Sequence, residues 1–153
     1  MKSLPYREGS WFAVPLKGGG YGVGVVARMA PHGKIIVAYL FGPKRAAVPA
    51  LDEVLLYRPS DAVRRLRTGD LGLLNGNWNV IGHSAAWDRA EWPMPAFIRR
   101  ADALQRAWRA TYSEADPSKL EREESVPYET AGLESDSLYG YGATELLLTK
   151  LLA

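Results

Sequence analysis

Residues 9–16 read GSWFAVPL, residues 18–20 read GGG and residues 21–26 read YGVGVV, so a glycine turn separates two short apolar runs. Glycines supply the positive φ that a tight turn needs, and this layout is typical of a β-hairpin. Gly22 and Gly24 leave one face of the second run without side chains. We therefore expect another backbone or an aromatic ring to lie against that face.

A second stretch repeats this layout later in the chain. Residues 69–74 read GDLGLL, residues 75–76 read NG and residues 77–82 read NWNVIG. An Asn-Gly pair between apolar runs is a strong local signal for a hairpin. The sequence thus predicts two similar β-hairpins, each holding a large aromatic side chain.

The rest of the chain predicts more strands than helices. Residues 34–41 are apolar on both faces, which favours a central strand that ends at the GPKR of residues 42–45. Other strands are predicted at residues 62–67, 97–100, 107–113 and 119–126, and the last two form a charged, exposed hairpin. Helical turns are predicted at residues 51–57 and a helix at residues 142–152. The predicted fold is a single α+β domain over residues 1–153, mainly a curved antiparallel sheet or SH3-like partial barrel with a C-terminal helix.

Composition places the chain among globular proteins. It has 153 residues, 47% hydrophobic and 24% charged, with a net charge of +2 and no cysteine. The lack of cysteine excludes disulfides and thiolate metal sites, and fits a reducing cytoplasm. No apolar run approaches the roughly 18 residues of a membrane helix. The first eight residues lack the apolar core of a signal peptide. We expect a cytoplasmic protein that does not interact with membranes.

Charge is distributed unevenly along the chain. Residues 114–153 hold nine acidic and three basic side chains, which leaves eight acidic and sixteen basic ones in residues 1–113 from the totals of 17 and 19. One interpretation is that the two parts pack together and partly neutralise each other. The other is that a charged face steers a partner of opposite sign.

Candidate catalytic groups are few. Residues 22–27 fit G-x-G-x-x-A, but valines continue the extended chain where a dinucleotide site needs a helix. The two histidines, His32 and His83, fall short of the ligand set of a hydrolytic zinc site. We expect no metal and no cofactor. An enzyme would have to be a small phosphoester hydrolase whose pocket brings together His83, Asp70 and Asp88.

Arginines and tryptophans suggest binding rather than chemistry. Nucleic acid is a disfavoured partner, because the acidic C-terminal part opposes the basic clusters. One cluster comprises Arg64, Arg65 and Arg67, and the other, near Trp108, comprises Arg99, Arg100, Arg106 and Arg109. Trp11 and Trp78 lie on strands beside glycines, so we expect them in the core. Trp87 and Trp92 flank DRAE in a proline-bounded loop, where they either anchor an interface or bury themselves at the end of the sheet.

Several short motifs, in this order, carry a family resemblance. They are GxxFAVPL from Gly9, GYGxG from Gly20, GDLGLLNGxWxVIG from Gly69, WPMPxF from Trp92 followed by Arg99 and Arg100, and GYGxxExxLTKLL from Gly140. With them the chain resembles the Imm26-type bacterial immunity proteins of polymorphic toxin systems. Residues 101–138 match least, as expected where a family varies its partner surface.

The resemblance implies a protein that binds and neutralises a cognate protein toxin and so protects the producing cell. Such sequences sometimes carry a phosphotriesterase label as well, and phosphoester hydrolysis is the alternative function. The resemblance implies no catalytic residues. The expected partner-binding residues are Trp87, Asp88, Glu91, Trp92, Glu114, Asp116, Glu121, Glu123 and Glu124. The oligomeric state stays open.

Overall fold

The computed structural model describes residues 3–153 and is built mainly from strands. The strands are β1 (Ser10–Pro15), β2 (Tyr21–Met29), β3 (Ile35–Arg45), β4 (Arg64–Gly69), β5 (Asn79–His83), β6 (Phe97–Ala101), β7 (Arg106–Ser113), β8 (Asp116–Val126), β9 (Glu134–Ser135) and β10 (Leu138–Tyr139). The helices are α1 (Leu51–Val54), α2 (Leu71–Leu74) and α3 (Tyr141–Leu151). Two 3₁₀ turns cover Pro59–Asp61 and Asp102–Leu104.

These strands form two sheets. The larger has the order β10-β4-β3-β2-β1-β5 and the smaller the order β8-β7-β6-β9. All neighbouring strands are antiparallel except the short pairs β10–β4 and β6–β9, which are parallel. The predicted α+β class with a C-terminal helix is confirmed. The strands are divided between two sheets, and the larger sheet ends at β10 and β5 without closing into a barrel.

The first predicted hairpin is confirmed, and its bare face is filled. β1 and β2 pair from Trp11↔Val25 to Pro15↔Tyr21. A Cβ on Gly24 would lie 2.5 Å from Cζ of Phe12, and one on Gly22 would lie 3.1 Å from Cδ1 of Leu148 in α3. The glycines therefore let an aromatic ring and the C-terminal helix approach the sheet closely.

The second predicted hairpin is wrong, because residues 71–74 form the one-turn helix α2. The carbonyl of Asp70 accepts the backbone amides of Leu73 and Leu74. A Cβ on Gly72 would lie 2.7 Å from the Trp78 indole, so the ring packs directly on the backbone of this turn. The chain after Trp78 pairs with β1 instead, as β5. The local pattern could not show this tertiary pairing.

The predicted end of the third strand at residues 42–45 is also wrong, because β3 continues to Arg45. Val23 pairs with Phe41 and Tyr21 with Arg45, so the register shifts between these pairs. An irregularity of this kind accommodates a proline that cannot donate to the ladder. The charged hairpin of β7 and β8 and the helix α3 are confirmed, with β8 as an exposed edge.

The two faces of the large sheet carry separate cores. Trp11 is 1% exposed and packs with Tyr39, Phe41 and Trp92 on one face. Neighbouring side chains on a strand point to opposite faces, and Phe12 accordingly packs with Trp78, α2 and α3 on the other. Trp78 is fully buried, which confirms the prediction for both core tryptophans.

Ion pairs join the N-terminal and C-terminal parts of the chain. Arg28 of β2 contacts Glu114, and from β4 Arg64 contacts Glu134 and Arg67 contacts Asp136. The uneven charge of the sequence is therefore partly neutralised within the molecule, in agreement with the first interpretation. No helix among residues 3–153 has the length and hydropathy to span a bilayer.

Replacing Gly24 by alanine should destabilise the protein by about 1–3 kcal/mol, because the new methyl group would overlap the Phe12 ring. That ring is held in a stack on Trp78 with centroids 5.3 Å apart. Urea unfolding followed by circular dichroism measures the change. Gly142→Ala in α3, where no atom lies within 4 Å, is the matched control and should be neutral or stabilising by up to about 1 kcal/mol. Equal effects of the two variants would contradict the packing account.

Candidate partner-binding site

An open groove of about 580 Å³ lies beside the aromatic core of the large sheet. Residues 55–59 form one wall, residues 84–88 with Glu91 form the other, and Trp11 and Trp92 lie beneath. We call this the aromatic groove. Four of the expected partner-binding residues line it, namely Trp87, Asp88, Glu91 and Trp92.

The floor of the aromatic groove is made of packed tryptophan rings. Trp87 stacks on Trp92 with ring centroids 5.2 Å apart, and the Trp92 ring meets Trp11 edge-on at 5.7 Å. Trp92 is 6% exposed and Trp87 is half-buried. Of the two interpretations of these tryptophans, burial describes Trp92, while Trp87 keeps part of its ring accessible to a partner.

The opposite wall exposes leucine side chains. Leu56 is 80% exposed and Leu55 is 46% exposed, although both lie beside aromatic rings. Apolar surface next to a groove marks interaction sites more often than isolated apolar residues do. Sequence reasoning missed this pair, because it predicts residues 51–57 only as helical turns. Only α1, at Leu51–Val54, is helical, and the leucines follow it.

Carboxylates give the tryptophan side of the groove a negative rim. Asp88 and Glu91 are both exposed, and within residues 3–153 neither lies within ion-pair distance of a basic group. Asp88 accepts the backbone amide of Ala90 at 3.0 Å, which stabilises the turn of the loop. The groove thus combines apolar surface with two carboxylates that form no ion pair within residues 3–153, and its lining also includes the exposed Arg58.

Buried Arg28 holds the loop that carries these residues. Its guanidinium donates to the carbonyl of Trp92 at 2.9 Å, to that of Arg89 at 3.3 Å and to Glu114 at 2.6 Å. Arg89 in turn donates to Glu8 at 2.6 Å. The loop is therefore ordered before any partner arrives, which lowers the entropic cost of binding. In the sequence, Arg28 is recognisable as the single charge inside the apolar run of residues 21–29.

The expected acidic residues fall on two surfaces. Glu114 lies in the turn between β7 and β8, where Arg28 and Arg89 connect it to the aromatic groove, and Asp116 follows it. We call Glu121, Glu123 and Glu124 of β8 the acidic edge. At about 3.3 Å per residue the acidic edge begins roughly 17 Å from Asp116 and extends to about 26 Å. Glu123 pairs with Arg99 and Glu124 with Arg122, whereas Glu121 has no ion pair within residues 3–153.

The residues of the enzyme alternative do not come together. Asp70 is buried and accepts hydrogen bonds from the Tyr6 hydroxyl at 2.7 Å and the Lys34 amide at 2.8 Å. Nδ1 of His83 lies 2.6 Å from Oγ of Ser10, which is itself fully buried. Neither Asp70 nor His83 lines the aromatic groove that contains Asp88. In the part of the chain from Ser3 onward, no cluster of three or more His, Asp or Glu residues is arranged to hold a metal ion.

Four of the seven arginines in the basic clusters are engaged within the molecule. Arg64, Arg67 and Arg99 each contact a carboxylate. Arg100 donates to the carbonyls of Tyr128 and Thr130. Three of the seven arginines are thus paired with carboxylates, which reduces the positive charge available to track a nucleic-acid backbone.

Replacing Arg28 by methionine should lower the free energy of unfolding by about 2 kcal/mol or more, since the buried carbonyls of Ala27 and Trp92 would lose their donor. Tryptophan fluorescence should also change, because the Trp87–Trp92 stack would loosen. Glu114→Gln is the control, and with its side chain 60% exposed it should cost less than about 1 kcal/mol. If both variants unfold at the wild-type urea midpoint, Arg28 does not hold the loop.

His83 should make stability fall in mild acid. Burial, with a smaller effect from Arg7, lowers the pKa of His83 below 6.5 in the folded state. Oγ of Ser10 accepts the Arg7 amide at 2.8 Å and also shares a hydrogen bond of 2.6 Å with Nδ1 of His83. As the pH falls, the unfolded chain therefore binds the proton first. The contribution is fully present above about pH 6.5 and is lost as the pH falls towards the folded pKa.

Thermal unfolding between pH 7.5 and pH 5 measures this effect. The loss of stability should be smaller in His83→Gln than in the wild type, because glutamine does not titrate. His32→Gln, in an exposed turn, serves as the control and should follow the wild type. Parallel profiles for His83→Gln and the wild type would contradict the assignment.

Comparison with known families agrees with the motifs. The model of the family described as Immunity protein 26, Imm26, matches residues 7–109, about two thirds of the chain. The matched range contains the whole aromatic groove and Arg28, while the acidic edge lies outside it. No curated protein and no solved structure matches the chain. Since the family match covers well over half of the sequence, the chain belongs to the Imm26 family of immunity proteins.

Proposed function

We propose that this protein binds a cognate bacterial toxin stoichiometrically in the cytoplasm of the producing cell and neutralises it. Membership of the Imm26 family supports an immunity role. One observation carries the choice of surface. The aromatic groove sets an 80% exposed Leu56 opposite Asp88 and Glu91, which form no ion pair in the described part of the chain, on a loop held by Arg28. This arrangement has the properties of an interface.

The aromatic groove would receive an apolar side chain of the toxin next to a basic one. The apolar side chain would cover Leu55, Leu56 and the accessible part of Trp87, and the basic one would pair with Asp88 or Glu91. Central aromatic anchors contribute most of the binding energy at such interfaces, while charges at the rim mainly speed association. Binding would block the toxin either by filling its active site or by shielding that site from substrate.

Residues 1–153 would act as one domain in this function. The family match ends at Arg109 inside β7, so the following residues complete a strand of the small sheet. α3 packs on Gly22, and Trp78 donates to Glu145 at 2.9 Å. The shared strand, the packing of α3 and this hydrogen bond connect the C-terminal part to the matched region.

Leu56→Asp should weaken the complex about thirtyfold or more, because it places a charge where the proposed complex has an apolar contact. The product of the neighbouring open reading frame, where we expect the toxin, is co-expressed with the protein, purified and titrated by calorimetry, with an expected 1:1 stoichiometry. Leu104→Asp is the matched control, since Leu104 is 66% exposed in a 3₁₀ turn outside the groove, and it should leave affinity unchanged. No complex with the wild type would refute the proposed function. Equal affinity of both variants would refute the groove as its surface.

The acidic edge is the second candidate surface and has its own test. If the toxin is a nuclease, its basic substrate cleft would suit these carboxylates. Reversing Glu121, Glu123 and Glu124 to lysine should then slow association about tenfold at low salt, with less effect at 1 M salt, as measured by surface plasmon resonance. Unchanged affinity would remove the acidic edge from the interface and leave the aromatic groove.

A further inference from the structure

A second groove, of about 710 Å³, lies where the two sheets meet. Residues 59–65 leading into β4 form one side, and residues 132–135 around β9 form the other. Residues 93–96 and the ring of Tyr39 complete it. We call it the inter-sheet groove. Apart from Pro59, which borders both, it shares no lining residue with the aromatic groove.

The two arginines that line the inter-sheet groove differ in their partners. Arg64 is neutralised by Glu134 through two nitrogen–oxygen contacts, one of them at 2.8 Å. Arg65 has no carboxylate within 4 Å in residues 3–153. Its guanidinium instead lies over the Tyr39 ring, with its carbon 5.3 Å from the centroid. The inter-sheet groove therefore contains an uncompensated positive charge with a defined orientation.

Arg65 is also held in place by its surroundings. It is half-buried, and the ring beneath it is fixed because the Tyr39 hydroxyl donates to the carbonyl of Pro93 at 2.7 Å. A guanidinium that lies over an aromatic ring can still donate parallel hydrogen bonds to a carboxylate. Partial burial favours such an anion, since water solvates the charge less well there.

The remaining walls are apolar and stiff. Pro59, Pro93 and Pro95 present rigid rings with no backbone donor, and Val63 is 43% exposed. The groove is open to solvent, because Ser60 and Gly132 at its borders are exposed as well. An open groove admits a chain that enters and leaves, and its volume suits a few residues.

We propose that the inter-sheet groove binds an extended acidic peptide segment. A Glu or Asp side chain of the segment pairs with Arg65, and its apolar neighbours pack against Val63 and the prolines. Charge complementarity with Arg65 favours an acidic residue in the peptide, and the apolar walls favour apolar residues on either side of it. This site is separate from the surface proposed for the toxin and is tested without the toxin.

The probe is a terminally blocked tetrapeptide with one glutamate flanked by valines, titrated into ¹⁵N-labelled protein and followed by amide chemical shifts. Saturable shifts are expected at residues 63–65 and 133–135, with a dissociation constant on the order of 1 mM or tighter. The matched glutamine peptide and Arg65→Gln protein should each bind about tenfold more weakly or worse. Arg106→Gln is the control, because Arg106 is exposed on β7 without a carboxylate partner in the described chain, and it should bind like the wild type.

Three results would overturn the proposal. They are no saturable shift with the acidic peptide, equal binding of the glutamine peptide, and acetate binding as tightly as the peptide. The last would show that the apolar walls contribute nothing. Since the glutamine peptide is tested on the unaltered protein, the outcome does not depend on whether Arg65→Gln folds.

Discussion

The two parts of this molecule are joined by arginines of the large sheet, whose side chains contact carboxylates of the C-terminal part. Arg67 shows the principle most fully. It is 8% exposed, its guanidinium carbon lies 3.8 Å from the Tyr112 ring centroid, and it contacts Asp136 and the carbonyl of Pro117. The Tyr112 hydroxyl donates to the same aspartate, and burial with this hydrogen bond raises the pKa of Tyr112 to about 12.

Such contacts define geometry more than they add stability. Desolvation offsets much of the attraction in a buried ion pair, so the gain lies in allowing one arrangement of the sheets and excluding others. Arg28 and Arg64 act in the same way at other points of the junction. Both grooves depend on this arrangement. Arg28 orders the loop of the aromatic groove. Pairing of Arg64 with Glu134 leaves Arg65 without a carboxylate partner among residues 3–153 in the inter-sheet groove.

Local patterns predicted the elements that depend on neighbouring residues. The hairpin of β1 and β2, the charged hairpin of β7 and β8 and the C-terminal helix were all visible in the sequence, because turn chemistry and periodicity act over a few residues. The bare glycine face of β2 was visible for the same reason. The second hairpin failed because the packing of Trp78 on Gly72 and the pairing of β5 with β1 outweigh a local Asn-Gly signal.

The candidate site also contains residues that local sequence patterns predicted and residues that they did not. Trp87, Asp88, Glu91 and Trp92 stood out because tryptophans flanking charges in a proline-bounded loop are typical of interfaces. Leu55 and Leu56 on the opposite wall did not stand out, because they are exposed only as a result of α1 ending at Val54. Residue types and their order were thus enough to identify the family, the α+β class and one wall of the aromatic groove. The division into two sheets, the partners of the arginines and the grooves themselves came from contacts between residues far apart in the chain, which periodicity cannot encode.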